Sequence, residues 1–132
     1  MKAIDTNVLV RFLVNDDEKQ ARKVYELLKQ AEAEKKPLFI PLTVLLELIW
    51  VLDSVYTVSR EDILDTIDDL LLIPILKFEH QPAVRQFVHA SQGNTQELSD
   101  LLIAFSAQAN GCDQVLTFDK KASGCNLFSL VS

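Results

Sequence analysis

PLFIPLTVLLELIWVL, residues 37–52, joins two different apolar patterns. Leu38-Phe39-Ile40 is a short continuous apolar run, as expected of a strand covered on both faces, and Pro41 ends it by withholding an amide from the ladder. After Pro41, Thr43 can cap a helix, and the apolar run that follows is longer than a typical buried strand. That run carries one carboxylate, Glu47, a turn inside its start. An ionised carboxylate in a dry core costs several kcal/mol unless something pairs with it. Glu47 therefore lies either on the helix's wet stripe or against a polar site with other groups.

Outward from this unit, the pattern repeats. KAID (2–5) reads as a short buried strand. Asn15 or Asp16 supplies the cap of a helix running to about Lys35, with the stripe Ala21, Val24, Leu27, Leu28 and Ala31. REDILDTIDDLL (60–71) is amphipathic: Ile63, Leu64, Ile67, Leu70 and Leu71 oppose Glu61, Asp62, Asp65, Asp68 and Asp69. Pro74 stops it, Ile75 to Phe78 is a strand, and a helix spans about Pro82 to Ala90. The turn-prone QGNT (92–95) precedes the helix of ELSDLLIAFSAQAN (97–110), which Gly111 stops. VLTF (115–118) and NLFSLV (126–131) are the last strands. Alternating short apolar strands and helices imply an α/β fold with a parallel sheet covered on both faces.

The composition narrows the class. A chain of 132 residues suits a single domain, 1–132, and 48% hydrophobic residues rule against disorder. Strand-like sequence begins at Met1, and no apolar run reaches the ~20 residues of a membrane span. The expectation is a soluble, cytoplasmic protein with no membrane partner. Cys112 and Cys125 read as buried free thiols, and His80 and His89, nine residues apart, would lie on opposite sides of one helix and so make poor joint ligands. The net charge of −6 opposes nonspecific attraction to nucleic acid, although acids gathered around metal ions can give a negative total while the site itself attracts phosphate.

Where the acids lie is more informative. Asp5 and Asp119 stand at the carboxyl ends of strands, where ligands bind in such sheets. Glu47 and Asp100 stand on helices that are otherwise apolar around them, and Glu97 precedes Asp100 by one turn. Singly, Asp5 and Asp119 read as turn caps, Glu47 as a snorkelling or paired residue, and Asp100 with Glu97 as first-turn acids. If the four converge, mutual repulsion forbids full ionisation without a cation. Hard Mg²⁺ or Mn²⁺ would remove it, and a carboxylate-held metal suits phosphodiester hydrolysis.

IDTNVLVRFL at the amino terminus, Glu47 in PLTVLLELIWVL, Asp100 in ELSDLLIAFSA and Asp119 in LTFDKK, taken in order, resemble the PIN-domain ribonucleases, most closely the VapC-type toxins of bacterial toxin–antitoxin pairs. The resemblance implies a three-layer α/β/α sandwich with a central, mainly parallel sheet of four to five strands. It implies a Mg²⁺- or Mn²⁺-dependent endoribonuclease cutting structured tRNA or ribosomal RNA, a homodimer silenced by a cognate antitoxin. Position by position it makes Asp5, Glu47, Asp100 and Asp119 the catalytic, metal-holding acids, with Asn7 and Thr117 in support. Glu97 stands where many relatives carry aspartate and is an additional metal-ligand candidate. Arg11 matches a basic position after the DTN motif; with Lys120 it is a candidate contact for RNA or antitoxin. Lys19, Arg22, Lys23 and Lys121 are further sources of local positive charge.

Three other readings compete. An aspartate-nucleophile phosphatase of the haloacid dehalogenase type needs an acid two residues after its nucleophile, and Asn7 stands there instead. A PIN nuclease outside any toxin–antitoxin pair would share the acids. So would a catalytically silent PIN interaction module, which metal titration would separate.

Overall fold

The computed structural model describes residues 1–131. In chain order the elements are β1 (Lys2–Ala3), α1 (Thr6–Leu13), α2 (Glu18–Glu34), β2 (Leu38–Ile40), α3 (Leu42–Ser54) and α4 (Arg60–Leu71). They continue with β3 (Leu76–Phe78), α5 (Gln81–Ser91), α6 (Leu98–Ala109), β4 (Val115–Thr117), a 3₁₀ turn at Ala122–Gly124 and β5 (Phe128–Leu130). Every strand pairing is parallel: β1 with β2 and β2 with β3 in one sheet, β4 with β5 in another. The expected α/β architecture and parallel pairing hold. The strands fall into pieces of three and two, and β1 is only two residues long.

The core explains the layering. One large apolar cluster joins Leu38, Ile40 and Leu76 of the sheet to the inner faces of the helices, including Leu45, Leu48, Ile67, Phe87 and Leu101. A second, smaller cluster holds Ala104 against Ala122 and Phe128. Helix α6 contributes to both, Leu101, Leu102 and Phe105 to the first and Ala104 to the second. It therefore couples the β4–β5 piece to the main core. In α4 the apolar stripe is buried as patterned, and Ser59 caps it through the Asp62 amide at 3.2 Å. No described helix is long and apolar enough to cross a membrane.

Several local expectations are corrected. Residues 6–13 form a helix that the strand-like look of KAIDTNVLV conceals; Thr6, Leu9 and Val10 bury one face at helical spacing. The cap of α2 is Asp17, whose carboxylate takes the Gln20 amide at 3.0 Å, in place of Asn15 or Asp16. In its stripe Val24, Leu28 and Ala31 are buried, whereas Leu27 is exposed. Strand β1 is exposed because it forms the sheet edge; only Ile4 of that stretch is buried. Leu116 in β4 and the adjoining Phe118 are exposed, 73% and 81%. Cys112 is exposed and Cys125 half-buried, since both lie in the turn-rich segment around β4 and β5.

Helix α3 begins at Leu42, so Thr43 is already inside it, and Pro41 at the cap position makes no side-chain bond. The capping oxygen comes from elsewhere. Glu79, at the end of β3, accepts the Leu42 amide at 2.9 Å. Its own amide bonds the Ile40 carbonyl at 2.9 Å. One residue thus fixes the end of β2 and the start of α3 together.

Candidate active site

Asp5 follows β1 and caps α1, its Oδ1 accepting the Val8 amide at 3.1 Å. The capping role read from sequence is real, and it leaves the carboxylate exposed beside other polar groups. Asp5, Thr6, Asn7, Thr43, Val44 and Glu47 line a small cavity of ≈ 230 Å³. The start of α1 and the first turn of α3 thus face each other, with one acid on each. On α3 the exposed positions Thr43, Glu47 and Trp50 follow helical spacing, while Leu45, Leu48, Ile49 and Leu52 are buried. Glu47 therefore lies on a wet stripe and against a polar site at once.

A larger groove, ≈ 990 Å³, adjoins the cavity through Thr43 and Glu47. Trp50, 62% exposed, lines it from α3, Arg60 from the start of α4, and Glu97, Leu98 and Ser99 from the start of α6. Glu97 is the residue at the cap position of α6 but makes no capping bond through its side chain. Asp100 is half-buried in the first turn of the same helix. Burial pushes its carboxyl above the ordinary carboxylate range, and the nearby charges of Glu97 and Asp119 push it the same way. Asp100 is thus near enough to Glu97 and Asp119 to feel their charge.

Asp119 holds the turn after β4. Its Oδ1 accepts the amides of Lys121 at 2.9 Å and Ala122 at 3.4 Å, and its own amide donates to Thr117 Oγ1 at 3.0 Å. Thr117 is thus bonded directly to the Asp119 backbone, while Asn7 shares the small cavity with Asp5. Lys120 is exposed, next in sequence to Asp119. Arg11 is turned to internal use: Nε donates to Gln20 Oε1 at 2.7 Å and Nη1 to Asp16 Oδ1 at 2.8 Å, and the Tyr56 hydroxyl donates to Asp16 at 3.0 Å. These bonds tie the corner between α1 and α2 to the end of α3.

The donor set fits a hard divalent cation in kind. Asp5, Glu47, Glu97, Asp100 and Asp119 offer carboxylate oxygens only, which suits Mg²⁺ or Mn²⁺. Among the described residues the ion pairs within 4.0 Å are Arg11–Asp16 and Lys36–Glu34, so none of these five acids has a protein cation at that range. In spacing the set is open: among the described residues no three His, Cys, Asp or Glu side chains are close enough to hold an ion as they stand.

Residues 2–124 match the PIN domain. The chain belongs to the PIN-domain family. It is 26% identical over 121 residues to a VapC ribonuclease of Aquifex aeolicus (strain VF5), covering 92% of this chain and 89% of that one. The resemblance read from the DTN opening and the spaced acids is borne out. Two residues that support the elements carrying this PIN domain's acids had no sequence signal. Glu79 caps α3 from 37 positions away. Arg60 bonds the carbonyls of Ser91, Asn94 and Gln96, and burial pushes its pKa below the ordinary value.

Proposed function

We propose that this PIN domain is a VapC-type toxin, a Mg²⁺- or Mn²⁺-dependent endoribonuclease that hydrolyses phosphodiester bonds in structured tRNA or ribosomal RNA. The observation that carries the reading is the arrangement of the acids. Asp5 and Glu47 line one cavity, Glu47 and Glu97 line the groove beside it, and Asp100 feels the charges of Glu97 and Asp119. Asp5, Glu47, Asp100 and Asp119 would hold the cation, with Glu97 as the additional candidate. Such an ion, when bound, acidifies water and offsets charge on the scissile phosphate.

The chain's own residues supply the rest. Buried flanks fix α3 so that Glu47 is held at the groove rather than swinging freely. Asn7 and Thr117 orient the acidic rim, Thr117 through the Asp119 amide. Lys120, exposed and next to Asp119, is the candidate contact for backbone phosphate or an acidic group of a partner. The relative's name, VapC ribonuclease, supports the same reading. With it come a cognate antitoxin that occupies the acidic groove, a homodimeric state and a cytoplasmic setting. The exposed acids of α4, Glu61 to Asp69, are a surface a basic partner could use.

The open spacing of the acids favours one alternative, a PIN module that binds partners without cleaving RNA. Purified protein incubated with total cellular RNA, followed by mapping of new RNA ends, separates the two. The nuclease reading expects discrete cuts that require Mg²⁺ or Mn²⁺, stop with EDTA and disappear in Asp100→Ala. Absence of cuts together with absence of Mn²⁺ binding would establish the silent module.

A further inference from the structure

Helix α6 presents Glu97 and Asp100, yet its amino terminus lacks the side-chain cap that α1, α2 and α4 each possess in Asp5, Asp17 and Ser59. A helix start without a local cap needs its position fixed by something else if its acids are to be held to within a fraction of an ångström. The fixing groups are visible in residues 92–97. Arg60, the first residue of α4, reaches across to this segment with both terminal nitrogens. Its Nη1 donates to the Gln96 carbonyl. Its Nη2 donates to the carbonyls of Ser91 at 2.9 Å and Asn94 at 3.2 Å and to Asn94 Oδ1 at 3.2 Å. Asn94 completes the arrangement: Oδ1 also accepts the Gln96 amide at 3.0 Å, and Nδ2 donates to the Ala90 carbonyl at 3.0 Å.

We propose that Arg60 is a positioning residue for the acidic site, clamping the 92–97 segment so that Glu97, at the groove, and Asp100, in the first turn of α6, are held in fixed geometry. The proposal deepens the nuclease reading and rests on it. Among the described residues Arg60 has no carboxylate within 4.0 Å, so its role is not that of an ion-pair partner. Its donors go to three backbone carbonyls and one side-chain amide oxygen within residues 91–96, and a planar fork with several fixed donors is suited to that task in a way an ammonium is not. Arg60 also lines the same groove as Glu97, which puts the clamp beside one of the two acids it orders. Outer groups that orient metal-holding side chains typically change metal affinity 10–100-fold when removed (about tenfold is the scale expected here).

Arg60→Lys and Arg60→Ala, compared with the unaltered chain, test this through two readouts independent of turnover. Amide hydrogen exchange reports the clamp, and Mn²⁺ titration by calorimetry reports the acids. In Arg60→Ala the amides of Gln96 and Leu101 should exchange about tenfold faster, the loss of roughly one charge-assisted hydrogen bond, and Mn²⁺ should bind about tenfold more weakly. Arg60→Lys, which keeps the charge and loses the fork, should shift both in the same direction by less, and it keeps the test available if the alanine variant does not fold. Unchanged exchange in Arg60→Lys and Arg60→Ala overturns the clamp. Faster exchange with unchanged Mn²⁺ affinity overturns the positioning role and leaves Arg60 a structural residue alone. If the unaltered chain binds no Mn²⁺ while Arg60→Ala exchanges faster, the metal reading has failed, the clamp stands as structure, and the positioning role falls with the metal.

Discussion

Replacing Glu79 by alanine should destabilise the fold and loosen the helix that carries Glu47, although Glu79 is outside the candidate active site. The Leu42 amide is one of the donors at the start of α3 that no intrahelical carbonyl can reach, and Glu79 accepts it at 2.9 Å. Pro41 offers no side-chain oxygen in its place. Loss of a helix-capping acceptor costs about 0.5–2 kcal/mol, and a carboxylate near a helix amino terminus adds about 0.3–1 kcal/mol through the dipole. The site is half-buried, so water replaces the lost acceptor only in part. The expected total for Glu79→Ala is about 0.8–3 kcal/mol. For a chain of this length each kcal/mol lowers Tm by about 3–4 °C, so a drop of roughly 2–12 °C should appear in a thermal melt followed by circular dichroism. Glu79→Gln keeps an oxygen acceptor and loses the charge, so it should cost only about 0.5 kcal/mol. Exchange of the Leu42, Val44 and Leu45 amides should rise in the alanine variant. An alanine variant melting within 1 °C or so of the parent (about 0.3 kcal/mol) would refute the assignment of Glu79 as the cap of α3.

Two further predictions concern buried or repelled groups. Asp100 titrates above its ordinary range in the folded chain, so the ionised carboxylate is disfavoured there relative to the unfolded chain. The penalty is absent below the ordinary carboxylate pKa, grows as pH rises toward the raised value, and is constant above it. Asp100→Asn should therefore raise Tm at pH 7, and the gain should fade as melts are repeated at decreasing pH through that window; a gain that grows on acidification would contradict the sign. Ser91 is 1% exposed and its Oγ has no hydrogen-bond partner among the described residues. Ser91→Ala should be neutral to roughly 1 kcal/mol stabilising by urea denaturation, because Arg60 uses the backbone carbonyl and not the hydroxyl; clear destabilisation would mean the hydroxyl is satisfied in solution.

Reading these residues from sequence succeeded where the physics is local. In α4 the apolar stripe lies within one short segment, and it is buried as patterned. Glu47 stood out because a carboxylate among apolar residues demands an explanation, and its place at the cavity with Asp5 answers that demand. Helix α1 was hidden because its eight residues, rich in Val and Leu, continue the strand-like composition of β1. Its signal was the capping Asp5 with buried Thr6, Leu9 and Val10. Glu79 and Arg60 could not be found this way. Their partners are backbone atoms more than thirty positions distant, and backbone partners leave no trace in residue type. Arg11 is a different case: its partners Asp16 and Gln20 are side chains five and nine positions on.

The central claim is that these acids hold a cation for RNA cleavage, and Asp5→Asn isolates it. Asparagine caps a helix about as well as aspartate, so the Val8 bond and the fold should survive while the charge is lost. The measurement is the single-turnover rate of cleavage of a folded tRNA or ribosomal RNA fragment at saturating Mn²⁺, unaltered chain against Asp5→Asn, with equal Tm as the control. The account predicts cleavage by the unaltered chain, abolished by EDTA, and a rate at least about a hundredfold lower in the variant, the scale of losing several kcal/mol of transition-state stabilisation. Equal rates in the two proteins at equal Tm would contradict it.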